Sequence, residues 1–135
     1  MKIVSVLFCG FLFTCSYLSG SGQEDPLTKS MERGKAIYKE SCITCHMGKG
    51  EGVPGAFPPL AKADYLIKMP EKAIHAVKYG LNGKIMVNGV EYNTMMPNPG
   101  LSNDEIADVI NYIQNSWGNS NKKIVTEKMV EAVKK

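Results

Sequence analysis

The sequence predicts an all-α fold of several short helices, and three observations carry that expectation. Apolar residues recur at helical spacing in two separated stretches, one leading into Cys42 and one following Ser102. Between residues 48 and 60 glycines and prolines are too frequent for a continuous helix. Strand character is confined to the reversal Val87-Asn88-Gly89-Val90, whose Asn-Gly pair suits a two-residue turn but whose flanks are too short to be expected to form a sheet. A chain of 135 residues has room for one domain of ordinary size, so any function must reside in one compact unit.

The elements follow in order. Residues 1–22 read as an export signal: Lys2, an apolar run from Ile3 to Phe13, then small and polar residues through Gly22. The run is short of the roughly 20 residues a membrane-spanning helix needs, and Gly10 interrupts it. Leu12-Phe13-Thr14-Cys15 is similar to a bacterial lipoprotein cleavage site, which makes Cys15 a candidate for lipid attachment, although Phe13 and Thr14 depart from the small residues usual there. Ser19 and Ser21 offer ordinary cleavage positions instead. Residues 23–28 read as a linker, residues 29–118 as the folded domain, and residues 119–135 as a C-terminal extension with a short helix.

Within the domain, Met31, Gly34, Ile37 and Tyr38 mark a first helix running into Cys42. A short helix is expected from Asp64 to Met69 and another from Glu71 to Tyr79, entered after Pro70 and closed by Gly80. The best-marked helix begins at Ser102, with Glu105 as its capping-box partner and Leu101 and Ile106 as a hydrophobic staple. Ile106, Val109, Ile110, Ile113 and Trp117 share its apolar face, Gly118 stops it, and it is expected to be the longest element. In the extension a last helix starts at Thr126, stapled by Val125 and Val130. The net charge of +3 is small and gives no warrant for nucleic-acid binding, which would want a clustered basic face.

The chemistry-bearing motif is Cys42-Ile43-Thr44-Cys45-His46. Two thiols about one helical turn apart can each add to a vinyl group of one haem, and the adjacent imidazole then falls beneath the iron. A redox dithiol should open a helix after a strand, whereas this pair ends a helix. A closed zinc site needs two further ligands, and beyond the signal region only His75 is left to offer one. An embedded macrocycle also gives a small glycine-rich chain a large apolar face to pack against. The opposite side of the iron takes methionine or histidine in such sites, and the candidates are Met95 and Met96, in a proline-bounded loop ahead of Ser102, and the more distant Met86. Neighbouring side chains of an extended loop point to different sides, so one of Met95 and Met96 is expected to face the iron.

On these residues the chain resembles the monohaem class I cytochrome c family from Met31 to Trp117. The family carries a glycine eight positions and an aromatic residue four positions before the first haem cysteine, matched by Gly34 and Tyr38. The resemblance implies the class I cytochrome c fold wrapped around one covalently attached haem c, with the first helix crossing the last at Gly34 and Tyr38 packing near Val109 and Tyr112. It also implies that a loop proline carbonyl orients His46: Pro58 fits by its position two before Leu60, with adjacent Pro59 as the alternative. The family's methionine precedes a proline, which points to Met96, followed here by Pro97. The haem-binding residues implied are therefore Cys42, Cys45, His46, Met96, Pro58 and Leu60, with His46 and Met96 as the iron ligands.

The function implied is one-electron transfer, with both axial positions kept occupied. The run from Val87 through Met96-Pro97 and Asn115 to Asn119 is similar to small bacterial carriers and to cytochrome domains of respiratory and denitrification enzymes. The partners implied are a redox donor and acceptor such as a membrane oxidase, a quinol-oxidising complex or a reductase. The location expected is periplasmic or exported, with the signal or a lipid as a membrane anchor. The alternatives are a haem c subunit held permanently in a larger oxidoreductase and, less favoured, a haem enzyme such as a peroxidase, which needs an open distal position. Docking is expected at an exposed haem edge, near Lys49, Lys62 or Lys84.

Overall fold

In the computed structural model, which describes residues 24–135, six helices and one hairpin surround an apolar cleft. The signal segment, with Cys9 and Cys15, lies outside the described residues. Helix α1 spans Pro26–Ser41, so half of the expected linker is helical: Pro26 takes the first helical position, where its missing N–H costs nothing, and the Asp25 carboxylate accepts from the Thr28 N–H. Helix α2, Ile43–His46, is one further turn beyond Cys42. Helices α3, Asp64–Lys68, and α4, Pro70–Tyr79, fall where the proline and glycine signals put them, and α4 ends at Gly80 with φ +82°.

The reversal does pair. Strands β1, Ile85–Val87, and β2, Val90–Tyr92, form a two-stranded antiparallel sheet with Val87 opposite Val90. Asn88 and Gly89 both have positive φ, as the tight turn requires. The sequence underrated this hairpin because part of its support is tertiary. The Asp64 carboxylate accepts from the Asn88 N–H at 2.7 Å while the Asn88 side-chain oxygen accepts from the Asp64 N–H at 2.9 Å.

Helix α5, Asn103–Ile113, starts in the expected capping box, Glu105 reaching back to the Ser102 N–H at 2.9 Å. It is not the longest element, since α1 has 16 residues and α5 has 11. It stops four residues before Trp117 because side chains there compete for the backbone: Asn115 donates to the Asn111 carbonyl at 2.9 Å and Ser116 to that of Tyr112 at 2.6 Å. Fully buried Gln114 donates to the Leu66 carbonyl. Trp117, at φ +52°, folds back so that its ring lies 4.9 Å from Tyr38 and 5.3 Å from Tyr112. The tryptophan joins the core from a turn, not from the helix face.

The dominant packing is α1 against α5. At the crossing, a Cβ on Gly34 would collide with the Asp108 carbonyl and lie 2.9 Å from the Tyr112 Cβ, so only glycine permits this approach. Buried polar side chains flank the crossing and are all satisfied. Asp108 accepts from Ser30 at 2.6 Å and from the Arg33 guanidinium, and Asn111 donates to Ser30 and to the Val125 carbonyl, both at 2.8 Å. Asn111 also accepts from the Val125 N–H, and so anchors the extension that leads into α6, Glu127–Ala132. The extension docks: Val125 and Val130 are buried, and Lys78 donates to the Val130 and Val133 carbonyls at the end of α6. Lys122, Lys123, Lys134 and Lys135 are solvated, as expected of a tail.

Candidate haem site

The cysteine motif is presented by the end of α1 and the single turn of α2. The Cys42 carbonyl accepts from the His46 N–H at 3.0 Å, which sets Cys42, Cys45 and His46 around one helical turn. Directly after His46 the chain leaves the helix at Met47, with φ +64° and ψ +167°, a region costly for a residue with a side chain. The Met47 carbonyl accepts from the Tyr38 hydroxyl at 2.6 Å and the Gly50 N–H at 3.2 Å, two bonds that hold the exit. The hydroxyl of Tyr38 is a feature that spacing alone could not reveal, since a phenylalanine would satisfy the same pattern.

The His46 ring is oriented from its other side. Its Nδ1 lies 3.0 Å from the Pro58 carbonyl oxygen. A carbonyl can only accept, so Nδ1 carries the hydrogen and Nε2 is left with a lone pair. Burial pushes the His46 pKa below its ordinary value against the smaller opposing effect of the Pro58 bond, so the ring is neutral near pH 7, as a metal ligand must be. The Cys42 thiol is pushed up to about 11 by burial and then by Cys45. That is the reverse of a reactive redox dithiol, in which one thiol is acidified.

Cys42 and His46 open into a cleft whose remaining lining is apolar but for Tyr65. Pro58, Pro59 and Leu60 form one wall, Ala76 and Val77 of α4 and Val87 of β1 another, and Ile110 and Ile113 of α5 the floor. An adjoining part, bordered by Cys45, Phe57, Thr94 and Met95, shares His46, Pro58, Leu81, Ile85 and Met96 with it. The two parts together form a mainly apolar slot bordered by the two thiols. These residues suit a haem: the apolar lining would cover a macrocycle, and an unprotonated imidazole nitrogen lies beside it.

The three candidate methionines are separated by their surroundings. Met96 is half-buried, packs against the core and lines both parts of the cleft. Met95 is 66% exposed and borders only the adjoining part, while Met86, 52% exposed on β1, borders neither. Met96 is held by a two-bond bridge, its N–H donating to the Leu81 carbonyl and its carbonyl accepting from the Leu81 N–H, both at 2.8 Å. No sequence signal pairs Leu81 with Met96. Lys49, Lys62 and Lys84 are exposed, but none borders the cleft, and Lys84 pairs with Glu91 at 3.0 Å. Among the described residues no three His, Cys, Asp or Glu side chains converge as a metal cluster.

An all-α shell around an apolar slot, with a Cys-x-x-Cys-His turn in its wall, defines a haem-attaching protein. Residues 31–117 match the family described as Cytochrome c, and the chain belongs to that family, in its class I monohaem branch. It is 44% identical over 94 residues to cytochrome c-552 of Thermus thermophilus, a match covering 66% of this chain and 71% of that protein. It is 32% identical over 111 residues to the cytochrome c subunit of a quinone alcohol dehydrogenase of Gluconobacter oxydans, covering 73% of this chain and 23% of that subunit. A similar likeness, 32% over 125 residues, links it to the cytochrome c subunit of gluconate 2-dehydrogenase of Pantoea cypripedii, covering 84% of this chain and 28% of the subunit. As a family member it is a haem c-binding electron-transfer protein with a non-catalytic role. No helix among the described residues is long and apolar enough to cross a membrane.

Proposed function

We propose that the protein is a one-electron carrier whose single haem c is attached through Cys42 and Cys45 and ligated by His46 Nε2 and the Met96 sulfur. The observation that carries this reading is that His46 and Met96, 50 residues apart in sequence, both line the same apolar slot. When bound, the haem supplies reversible one-electron chemistry at iron. Everything else is done by the chain. Cys42 and Cys45 would hold the haem by addition of each thiol across one vinyl group, sulfur to one carbon and hydrogen to the other. Pro58 fixes the imidazole tautomer, and Leu60 and the α4 and α5 side chains exclude water. A methionine sulfur favours the reduced iron, so a positive reduction potential is expected. With both axial positions filled, no position would stand open to substrate and little would rearrange on electron transfer.

The working location is periplasmic or otherwise outside the cytoplasm, reached through the signal at residues 1–22, with Cys15 as a candidate lipid anchor. Its partners are a protein donor and a protein acceptor, with a membrane oxidase, quinol-oxidising complex or reductase as the natural classes. A second reading, a cytochrome subunit within a larger oxidoreductase, is favoured by the likeness to two dehydrogenase cytochrome subunits. Intact mass after acid and organic extraction tests the attachment, which predicts a polypeptide heavier by one haem; complete extraction of the pigment would remove it. Migration as a monomer that several redox proteins reduce supports the free carrier, and stable co-purification with an oxidoreductase supports the subunit.

A further inference from the structure

We propose that Gly80 is the positioning residue for the sixth ligand, because it lets the end of α4 pass close enough to the backbone of Met96 to Asn98 to set Met96 across the slot from His46. This rests on the reading of Met96 as the ligand. Gly80 has φ +82°, which a residue with a Cβ adopts only under strain. Its surroundings add a second, independent demand. A Cβ there would sit 2.8 Å from the Met96 carbonyl oxygen and 3.1 Å from the Asn98 nitrogen. Both are backbone atoms, which cannot swing aside as a flexible side chain can.

The next residue, Leu81, makes the two 2.8 Å bonds to Met96. Among the described residues this is the one backbone pairing between the 93–101 loop and another element. The chain that follows cannot supply another easily, since Pro97 and Pro99 have no N–H to donate. Met96 is therefore placed by residues 80 and 81 and not by the loop that carries it. A side chain at position 80 pushes directly on the carbonyl that Leu81 must reach. The ligand should then be displaced while its own side chain is unchanged.

The test compares Gly80→Ala with Gly83→Ala, in the holoprotein. Gly83 also has positive φ, +99°, but a Cβ there meets nothing within 4 Å, so it carries the backbone strain without the collision. The first readout is the weak near-infrared absorption of a methionine-to-ferric-haem bond in wild type. Its absence would remove the reading of Met96, and this proposal with it. Given that band, and its loss in Met96→Ala, Gly80→Ala should lose it, bind carbon monoxide when reduced and show a lower potential, with covalent haem retained. Gly83→Ala should keep the band and exclude carbon monoxide.

Retention of the wild-type band and potential in Gly80→Ala would overturn the proposal while leaving Met96 as ligand. Equal loss in both variants would also overturn it, by assigning the effect to strain alone. If Gly80→Ala yields no holoprotein, amide exchange in wild type decides. Imidazole that displaces Met96 from the iron should accelerate exchange at the Leu81 and Met96 amides, and unchanged protection of both would overturn the proposal.

Discussion

The two stretches that bring His46 and Met96 to the slot are built differently. The His46 stretch is made by residues adjacent in sequence to the attachment cysteines, on a turn continuous with a 16-residue helix. That helix is clamped to α5 by a glycine crossing and by a buried polar network in which Asp108, Asn111 and Ser30 are each less than a tenth exposed. The Met96 stretch is a loop between a three-residue strand and α5, tied by one pair of backbone bonds. On the proposed ligation, one ligand is kept throughout and the other is held by a weaker sulfur bond, so rigid support is needed chiefly for the first. The comparison then implies that global stability and the strength of the proposed Met96 bond reside in separable parts of the molecule.

Lesions on the first side should therefore cost stability and spare the ligand. The largest expected effect is Gly34→Val, an overpacking lesion at a backbone contact, costing about 3 kcal/mol or more. Urea denaturation should show a lower midpoint at unchanged slope, and the folded fraction should keep its near-infrared band. Equal midpoints for mutant and wild type would sink the crossing. Asn111→Ala should follow at about 2 kcal/mol, because it strands the buried N–H and C=O of Val125. Faster amide exchange around Val130 would accompany it, and a loss of stability with exchange there unchanged would break the assignment of Asn111 as the anchor of the extension.

Smaller effects fall at the junction of the two sides. Ser102→Ala removes the cap of α5 beside the methionine loop and should cost about 1 kcal/mol, read from the thermal midpoint of the holoprotein. The smallest concerns pH. Asp64 is held below the ordinary carboxylate range, first by the Asn88 N–H and then by Lys68. A carboxylate whose folded pKa is depressed contributes stability present above its unfolded value and lost as pH falls through the folded one. The Asn88 amide resonance should thus move only below about pH 4, the unfolded value. A shift centred near neutral pH would show that the hairpin clamp is not Asp64.

Much of this was legible in the sequence, for reasons that differ by residue. The Cys-x-x-Cys-His turn, the proline entry and glycine exit of α4, and the capping box at Ser102 are local rules, satisfied within a few residues. The structure also puts the Pro58 carbonyl against His46 and lines both parts of the slot with Met96, where Met95 borders only one. The misreadings have both local and tertiary causes. The helix start at Pro26 is hidden in a polar stretch that reads as linker. The hairpin needs Asp64, and the end of α5 depends on Asn115 and Ser116 bonding back to the helix carbonyls. Asp108 and Asn111 look like the polar face of a helix and are buried by α1 and the extension. Nothing local marks Leu81 as the partner of Met96.

The central claim is that the Met96 stretch supplies the sixth ligand, and the ferric spectra of Met96→Ala and Met95→Ala test it most directly. Wild type should show the weak near-infrared absorption of a methionine-to-iron bond. Met96→Ala should lose it, bind added cyanide or carbon monoxide and fall in potential, because the thioether stabilises the reduced iron in particular. Met95→Ala, altering a side chain that is mostly in solvent, should keep the band and exclude both ligands. Loss of the band in Met95→Ala with retention in Met96→Ala would contradict the account, as would its absence from correctly folded wild type.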